Sequence, residues 1–183
     1  VIVVAGFQGI NDNYELTTLG RGGSDTTAVA LAASNATPCE IYTDVDGVYA
    51  TDPRILSRAK RLDVVSYEEM MEMSALGAGV LETRSVELAK NYDIPIYLGR
   101  TLSNVKGTWI MPNSEILEKK AVTGVALDKH MMHITISYPL SDDRLLTQLF
   151  TALDKGAINV DMISQIVNVE GLQLSFSIKD SDI

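Results

Sequence analysis

Three glycines within four positions, Gly20, Gly22 and Gly23, stand just before Ser24 and a run of small apolar residues, Ala28, Val29, Leu31, Ala32 and Ala33. Regular structure does not pass easily through such a run, because glycine costs a helix or strand roughly 0.5–1 kcal/mol relative to alanine. A tight turn uses that same freedom. The pattern predicts a glycine-rich turn opening a helix, capped by Ser24 or Asp25, whose small-residue face packs closely on a sheet. Such a helix start gathers unpaired N–H groups and the positive end of the helix dipole, so an anion can sit there with few cationic side chains nearby. The plainer alternative is a turn that only caps the helix. No lysine precedes Ser24 as in a Walker loop, and the third glycine of a dinucleotide fingerprint is missing.

The rest of the chain places this turn in an α/β alternation. Residues 1–5 read as a buried strand, residues 7–19 as polar and irregular, and residues 39–43 as the strand that follows the helix. Residues 44–54 are loop-like, with Gly47 and Pro53 as breakers, and residues 62–65 are extended. Ser66 and Glu69 make a capping box that opens a helix through Leu76. Gly77 and Gly79 interrupt it, a second helix runs over about residues 80–91, and residues 94–98 form another strand. Trp109 and Ile110 are expected to pack in a terminal strand.

Beyond Met111 the composition turns polar, with Pro112 and Asn113, and the character of the chain changes. Residues 122–127 and 131–137 read as strands, residues 142–155 as an amphipathic helix, and residues 162–169 and 172–178 as a hairpin turning at Glu170-Gly171. That order suits a small α+β sandwich. The expected organisation is an α/β domain over residues 1–112, a linker over 113–121, and an incomplete α+β domain over 122–183.

Charge and cysteine content narrow the partners. The 183 residues carry a formal net charge of −9, so no basic footprint for nucleic acid exists and any anionic ligand must be held by local arginines or backbone N–H groups. Cys39 is the only cysteine, which excludes an internal disulfide and fits the cytoplasm. No apolar run approaches the roughly 20 residues of a membrane span. The chain starts within an apolar run without Met and stops where a helix begins, so a piece of a longer protein is expected.

Two segments carry candidate chemistry. Arg21, inside the glycine-rich turn, has the planar fork that grips a carboxylate, although it also reads as a solvated charge. Asp25 caps the helix, orients a substrate ammonium, or lies near a transferring phosphoryl group. Thr43-Asp44-Val45-Asp46-Gly47-Val48-Tyr49, with Asp52-Pro53-Arg54 behind it, follows a strand's carboxyl end, where open α/β sheets bind ligands. A calcium loop fails here, since the twelfth position from Asp44 is Ile55 rather than Glu. His130 and His133 fall at i and i+3 of a strand and point to opposite faces, so no metal site is expected. Met70, Met71 and Met73 read as helix packing.

Taken together, Thr17-Thr-Leu-Gly-Arg-Gly-Gly-Ser-Asp25, Glu40-Ile-Tyr-Thr-Asp-Val-Asp-Gly-Val-Tyr49 and Asp52-Pro-Arg54 closely resemble the aspartokinases of the amino acid kinase family. Val3 to Gly9, Ser66-Tyr-Glu-Glu-Met70 and Arg84-Ser-Val-Glu87 are similar to that family as well. The second half, at Gly156-Ala-Ile-Asn-Val-Asp-Met-Ile-Ser-Gln165, resembles an aspartokinase ACT domain, a regulatory module of ferredoxin-like fold.

The resemblance implies a central-sheet amino acid kinase sandwich, of which this is the C-terminal half, followed by part of a first ACT domain. It implies ATP-dependent phosphorylation of the L-aspartate side-chain carboxylate, with Mg, as the first step toward lysine, threonine and methionine. Arg21 would clamp aspartate, backbone at Gly22, Gly23 and Ser24 would line the substrate and phosphate site, and Asp25 would organise it. Thr43 and Asp44 would contact the nucleotide, with Tyr49 against it and Arg54 near its phosphates. Asn159, Asp161, Ser164 and Gln165 match the positions that bind lysine or threonine between ACT domains, which implies a homodimer or higher homo-oligomer.

Three departures accompany the resemblance. Many members have Lys and His where this chain has Gly79 and Glu82, and the usual Asp-Lys-Pro-Gly turn is Ser141-Asp142-Asp143-Arg144. The family's Lys-Phe-Gly-Gly segment is absent from the chain, so these 183 residues alone are expected to be inactive. The alternative is a non-catalytic regulatory or interaction subunit of an aspartokinase.

Overall fold

The computed structural model describes residues 1–113, 121–139, 144–168 and 171–182. The chain divides into two compact units, Val1–Leu127 and Asp128–Ile183. Most of the expected linker over 113–121, the Ser141-Asp142-Asp143 part of the second turn, and Glu170 of the expected hairpin turn lie outside the described residues.

The first unit begins with a short antiparallel hairpin, β1 (Gln8–Ile10) and β2 (Leu16–Thr18), in the stretch expected to be irregular. Its turn is organised by Asn11, whose Oδ1 accepts from Asn13 N at 3.0 Å and Glu15 N at 2.9 Å. Helix α1 (Gly23–Ser34) follows the glycine-rich turn, and β3 (Cys39–Thr43), β4 (Val64–Ser66), α2 (Tyr67–Ala75), α3 (Thr83–Asn91), β5 (Ile96–Arg100) and β6 (Thr108–Met111) complete the unit. The four-stranded sheet runs β3-β5-β6-β4. β3 is parallel to β5 and β4 to β6, while β5 and β6 are antiparallel.

Val29, Val65, Met70, Val86, Ile96, Leu98 and Ile110 are completely buried together and form the core of this unit. Burying each such side chain stabilises the fold by about 1.5–3 kcal/mol before ordering entropy is counted. Helix α2 starts where its sequence says it should. Ser66 Oγ accepts from Glu69 N at 3.2 Å, and Glu69 Oε2 accepts from Ser66 N at 2.9 Å, which satisfies two otherwise orphaned donors. Helix α3 starts at Thr83, a few residues later than expected, because Glu82 is extended and its carbonyl accepts the first bonds, from Ser85 N at 3.0 Å and Val86 N.

Several expectations are corrected. Residues 1–5 form no strand and Val1, Ile2, Val3 and Val4 are exposed. Apolar, β-prone composition does not make a strand without a neighbouring strand to take its backbone hydrogen bonds. Neither Ser24 nor Asp25 caps α1: the N-cap is Gly22, and both residues lie within the first turn. In the expected small face of α1, Val29 and Ala32 are buried but Leu31 is exposed. Trp109 and Ile110 belong to an internal strand, since β6 lies between β5 and β4. Residues 122–127 form no strand; Val125 N donates to Ala50 O at 2.7 Å and Thr123 Oγ1 to Glu69 Oε1, so the segment is part of the first unit.

The second unit has the expected order of strand, helix, strand, strand: β7 (Met131–Tyr138), α4 (Leu145–Lys155), β8 (Val160–Asn168) and β9 (Gly171–Lys179). Its antiparallel sheet runs β7-β9-β8. Leu174, Phe176 and Ile178 of β9 are buried against Leu145, Leu146, Leu149, Phe150 and Leu153 of α4. The period-2 pattern of β9 and the helical pattern of α4 thus meet on one face of the sheet.

Candidate functional site

The loop after β3 is held open by buried hydrogen bonds that begin at Thr108. Its Oγ1 accepts from Val48 N at 2.9 Å and donates to Leu62 O at 2.6 Å. Gly47 is required beside it, because φ is 147° and a Cβ would lie 2.5 Å from that same Oγ1. Arg61 ties the loop to the far side through Lys106 O and Gly107 O and through Asp63 Oδ1 at 2.7 Å. Arg100, from the end of β5, reaches Asp46 Oδ1 at 2.5 Å. That hydrogen bond holds the Asp46 carboxyl below the usual range.

This framework walls a cleft of about 410 Å³, within the ordinary size range of small-molecule sites. Thr43, Asp44, Tyr49 and Arg54, the four residues expected at the nucleotide, all line it. Thr43 Oγ1 donates to Asp44 Oδ1 at 3.0 Å, which directs the carboxylate. Tyr49 OH donates to Asp46 Oδ2 at 3.3 Å. Arg54 is exposed and forks onto Asp52, with Nε to Oδ1 at 3.0 Å and Nη2 to Oδ2 at 2.9 Å. The lining is completed by the glycine-rich segment Gly77, Ala78, Gly79 and Val80 and by Val125, Ala126 and Leu127.

The glycine-rich turn before α1 lines no part of this cleft and is joined to it through residues 79–82. Gly20 and Gly22 have φ of 75° and 70°, and a Cβ on Gly22 would lie 1.8 Å from Glu82 Cγ, so close approach excludes any other residue there. Gly23 N donates to Gly20 O at 3.0 Å and Thr26 N to Gly22 O at 3.1 Å. The N–H groups of Ser24 and Asp25 have no acceptor among the described residues, as the geometry of a helix start requires. Arg84 Nη2 donates to Leu19 O at 3.0 Å and Arg21 O at 2.6 Å, which secures the turn to the start of α3. Arg21 projects with its side chain 90% exposed, Nε 3.5 Å from Glu82 Oε1. Burial pushes the Asp25 carboxyl up, and the charge of Glu82 adds to the effect.

In the second unit, Asn159, just before β8, and Asp161, Ser164 and Gln165, along it, are exposed. A bulge between Asp161 and Ser164 sets these two opposite Ser177 and Ser175, which share one face of β9. Without the bulge, residues three apart on a strand would face opposite ways. Gln165 pairs with Leu174 and so points to the other face.

Residues 1–100 match the sequence model of the amino acid kinase family. The chain belongs to the amino acid kinase family. Among characterised proteins it is 46% identical over all 183 residues to aspartokinase 2 of Bacillus subtilis, of which it covers 45%, so the chain spans about half the length of the relatives it matches. The structure superposes on Clostridium acetobutylicum aspartate kinase with a TM-score of 0.84 at 30% identity, covering 97% of this chain and 41% of the other. Escherichia coli aspartokinase III, solved with aspartate and ADP and also with lysine and aspartate, matches with a TM-score of 0.71 in both states. Identity is 31% and 32%, over 95% of this chain and 38% and 39% of that one.

Glu82, Arg100 and Thr108 shape these regions, and sequence reasoning assigned none of them a role; Asp46 fell inside the candidate segment from Thr43 to Tyr49 without a role of its own. Arg84 had a signal, since Arg84-Ser-Val-Glu87 is one of the segments that resemble the family. For Thr108 and Arg100 no local signal exists, because their partners are 46 to 60 residues away.

Proposed function

We propose that this chain is the nucleotide-binding half of an aspartate kinase domain followed by an ACT-type regulatory unit. The observation that carries the reading is the meeting of Thr43, Asp44, Tyr49 and Arg54 in one cleft at the carboxyl end of the parallel strand β3. In this reading ATP occupies the cleft, with Asp44 and Tyr49 toward the nucleoside and Arg54 exchanging Asp52 for a phosphate. Aspartate binds at the glycine-rich turn, its carboxylate on the fork of Arg21 and the free N–H groups of Ser24 and Asp25. Gly22 and Gly23 let the backbone come close.

The chemistry needs no base. A substrate carboxylate with a pKa near ~3.9 is ionised at neutral pH, and its oxygen attacks the γ-phosphorus as the bond to the β–γ bridging oxygen breaks and ADP leaves. Positioning and charge neutralisation carry the rate. Mg²⁺ bound with the ATP phosphates would add to that neutralisation.

Two substitutions in the full-length protein test this reading. Asp44→Ala should weaken ATP binding by calorimetry, and Arg21→Lys should raise the aspartate KM much more than the ATP KM, because it keeps the charge and loses the fork. Undiminished ATP affinity in the first, or equal effects in the second, would refute the assignments.

The second unit is the proposed effector site and dimer interface. Asp161 and Ser164 on one face of β8, with Asn159 just before the strand and Gln165 on its other face, would meet lysine or threonine at a boundary between two ACT units. Met162, Ile163, Ile166 and Val167 leave apolar surface exposed along β8, which a homodimer would cover. Sedimentation of the full-length protein with lysine and threonine each present should show a dimer or larger assembly; a monomer at micromolar concentration would end this proposal. Among the described residues no helix is long and apolar enough to cross a membrane, and the buried free thiol of Cys39 fits the cytoplasm.

A further inference from the structure

Glu82 is placed over the glycine-rich turn from two directions. Its stem lies across Gly22, where a Cβ would come within 1.8 Å of its Cγ and 2.5 Å of its Cβ. Its backbone sits at the N-cap of α3, and the start of that helix is bound to the turn by Arg84, which donates to Leu19 O and Arg21 O. The Glu82 carboxylate consequently stands 3.5 Å from Arg21 Nε, on the inner edge of the guanidinium. The terminal nitrogens of Arg21 remain turned to solvent, with the side chain 90% exposed.

The same carboxylate acts on Asp25, whose carboxyl is raised by its own burial and by the negative charge of Glu82. One guanidinium and two carboxylates therefore share the mouth of the turn. A ligand carrying only carboxylates gains from Arg21 and from the free N–H groups of Ser24 and Asp25, and is repelled by Asp25 and Glu82. A ligand that adds an ammonium group neutralises that repulsion.

We propose that Glu82 is a specificity-determining residue: with Asp25 it forms the acidic half of the substrate site, selecting an α-amino acid over the same diacid without its amine. The inference rests on the aspartate kinase reading and gives that site a selection rule.

Calorimetry on the full-length protein without nucleotide, using L-aspartate and succinate as probes, tests it. The unaltered protein should prefer aspartate. Glu82→Gln, which keeps the shape and removes the charge, should lower the aspartate-to-succinate affinity ratio by about two- to fivefold, the scale of one partly exposed charge pair. Glu82→Asp, which keeps the charge, should retain most of the preference. Equal weakening of both ligands by Glu82→Gln would mean that Glu82 only supports the turn, and would overturn the proposal, as would a Glu82→Asp variant as unselective as Glu82→Gln. Aspartyl phosphate formation, measured in parallel, separates the two readings. A protein that selects aspartate through Glu82 and forms no aspartyl phosphate refutes the kinase activity alone. One that phosphorylates aspartate and binds succinate equally well refutes the role of Glu82 alone.

Discussion

Thr108→Val should destabilise the first unit and loosen its cleft while leaving the shape of the side chain almost unchanged. The native hydroxyl is fully buried, accepts from Val48 N at 2.9 Å and donates to Leu62 O at 2.6 Å. Valine fills the same volume and satisfies neither group, so one N–H and one C=O are stranded away from water. Each unsatisfied buried group costs about 1–3 kcal/mol, so the pair costs roughly 2–6 kcal/mol, brought down to about 2–4 kcal/mol by removing the hydroxyl's own desolvation. With a urea dependence of about 2 kcal/mol/M for a unit of this size, the unfolding midpoint should fall by roughly 1–2 M. Trp109 is the chain's only tryptophan and lies in β6 of the first unit, so its fluorescence follows that unit alone. ATP affinity should fall as well under conditions where the unit stays folded, because Val48 and Gly47 wall the cleft. A midpoint shift below about 0.3 M would show that water or a backbone shift satisfies both groups, and would refute the claim that Thr108 holds the loop.

Gly79→Lys should be tolerated and should tighten ATP binding several-fold in a salt-dependent way, since a Cβ there meets only Gly77 O at 3.9 Å and the residue lines the cleft. A stable variant with unchanged ATP affinity would remove this wall from the phosphate side. In the folded chain Asp25 keeps its proton to higher pH than the ordinary 3.8. Its contribution to stability is therefore full below that value and lost as pH rises through the raised one. Asp25→Asn should raise the thermal midpoint at neutral pH and lose that advantage in acid; a pH-independent difference would contradict the assigned repulsion.

Local chemistry decided much of this protein from sequence alone. The Ser66–Glu69 capping box, the turn at Gly20 to Gly23 and the alternating pattern of β9 depend on residues a few positions apart, so their structure is written in short windows. The loop carrying Thr43, Asp44, Tyr49 and Arg54 was legible for a similar reason: it follows an apolar strand and contains its own breakers.

Tertiary structure decided where those pieces met. Residues 1–5 and 122–127 have strand-like composition, yet a strand exists only where another backbone takes its hydrogen bonds, and no short window records that partner. The bulge between Asp161 and Ser164 is likewise invisible in an apolar alternation, although it turns two polar side chains to one face. The internal place of β6 depends on β4 and β5, and the loop at Gly47 depends on Thr108 beyond it in the chain. Glu82 reads in sequence as a surface acid before a helix, and it comes to lie over the glycine-rich turn because Gly22, sixty residues earlier, has no side chain to keep it away.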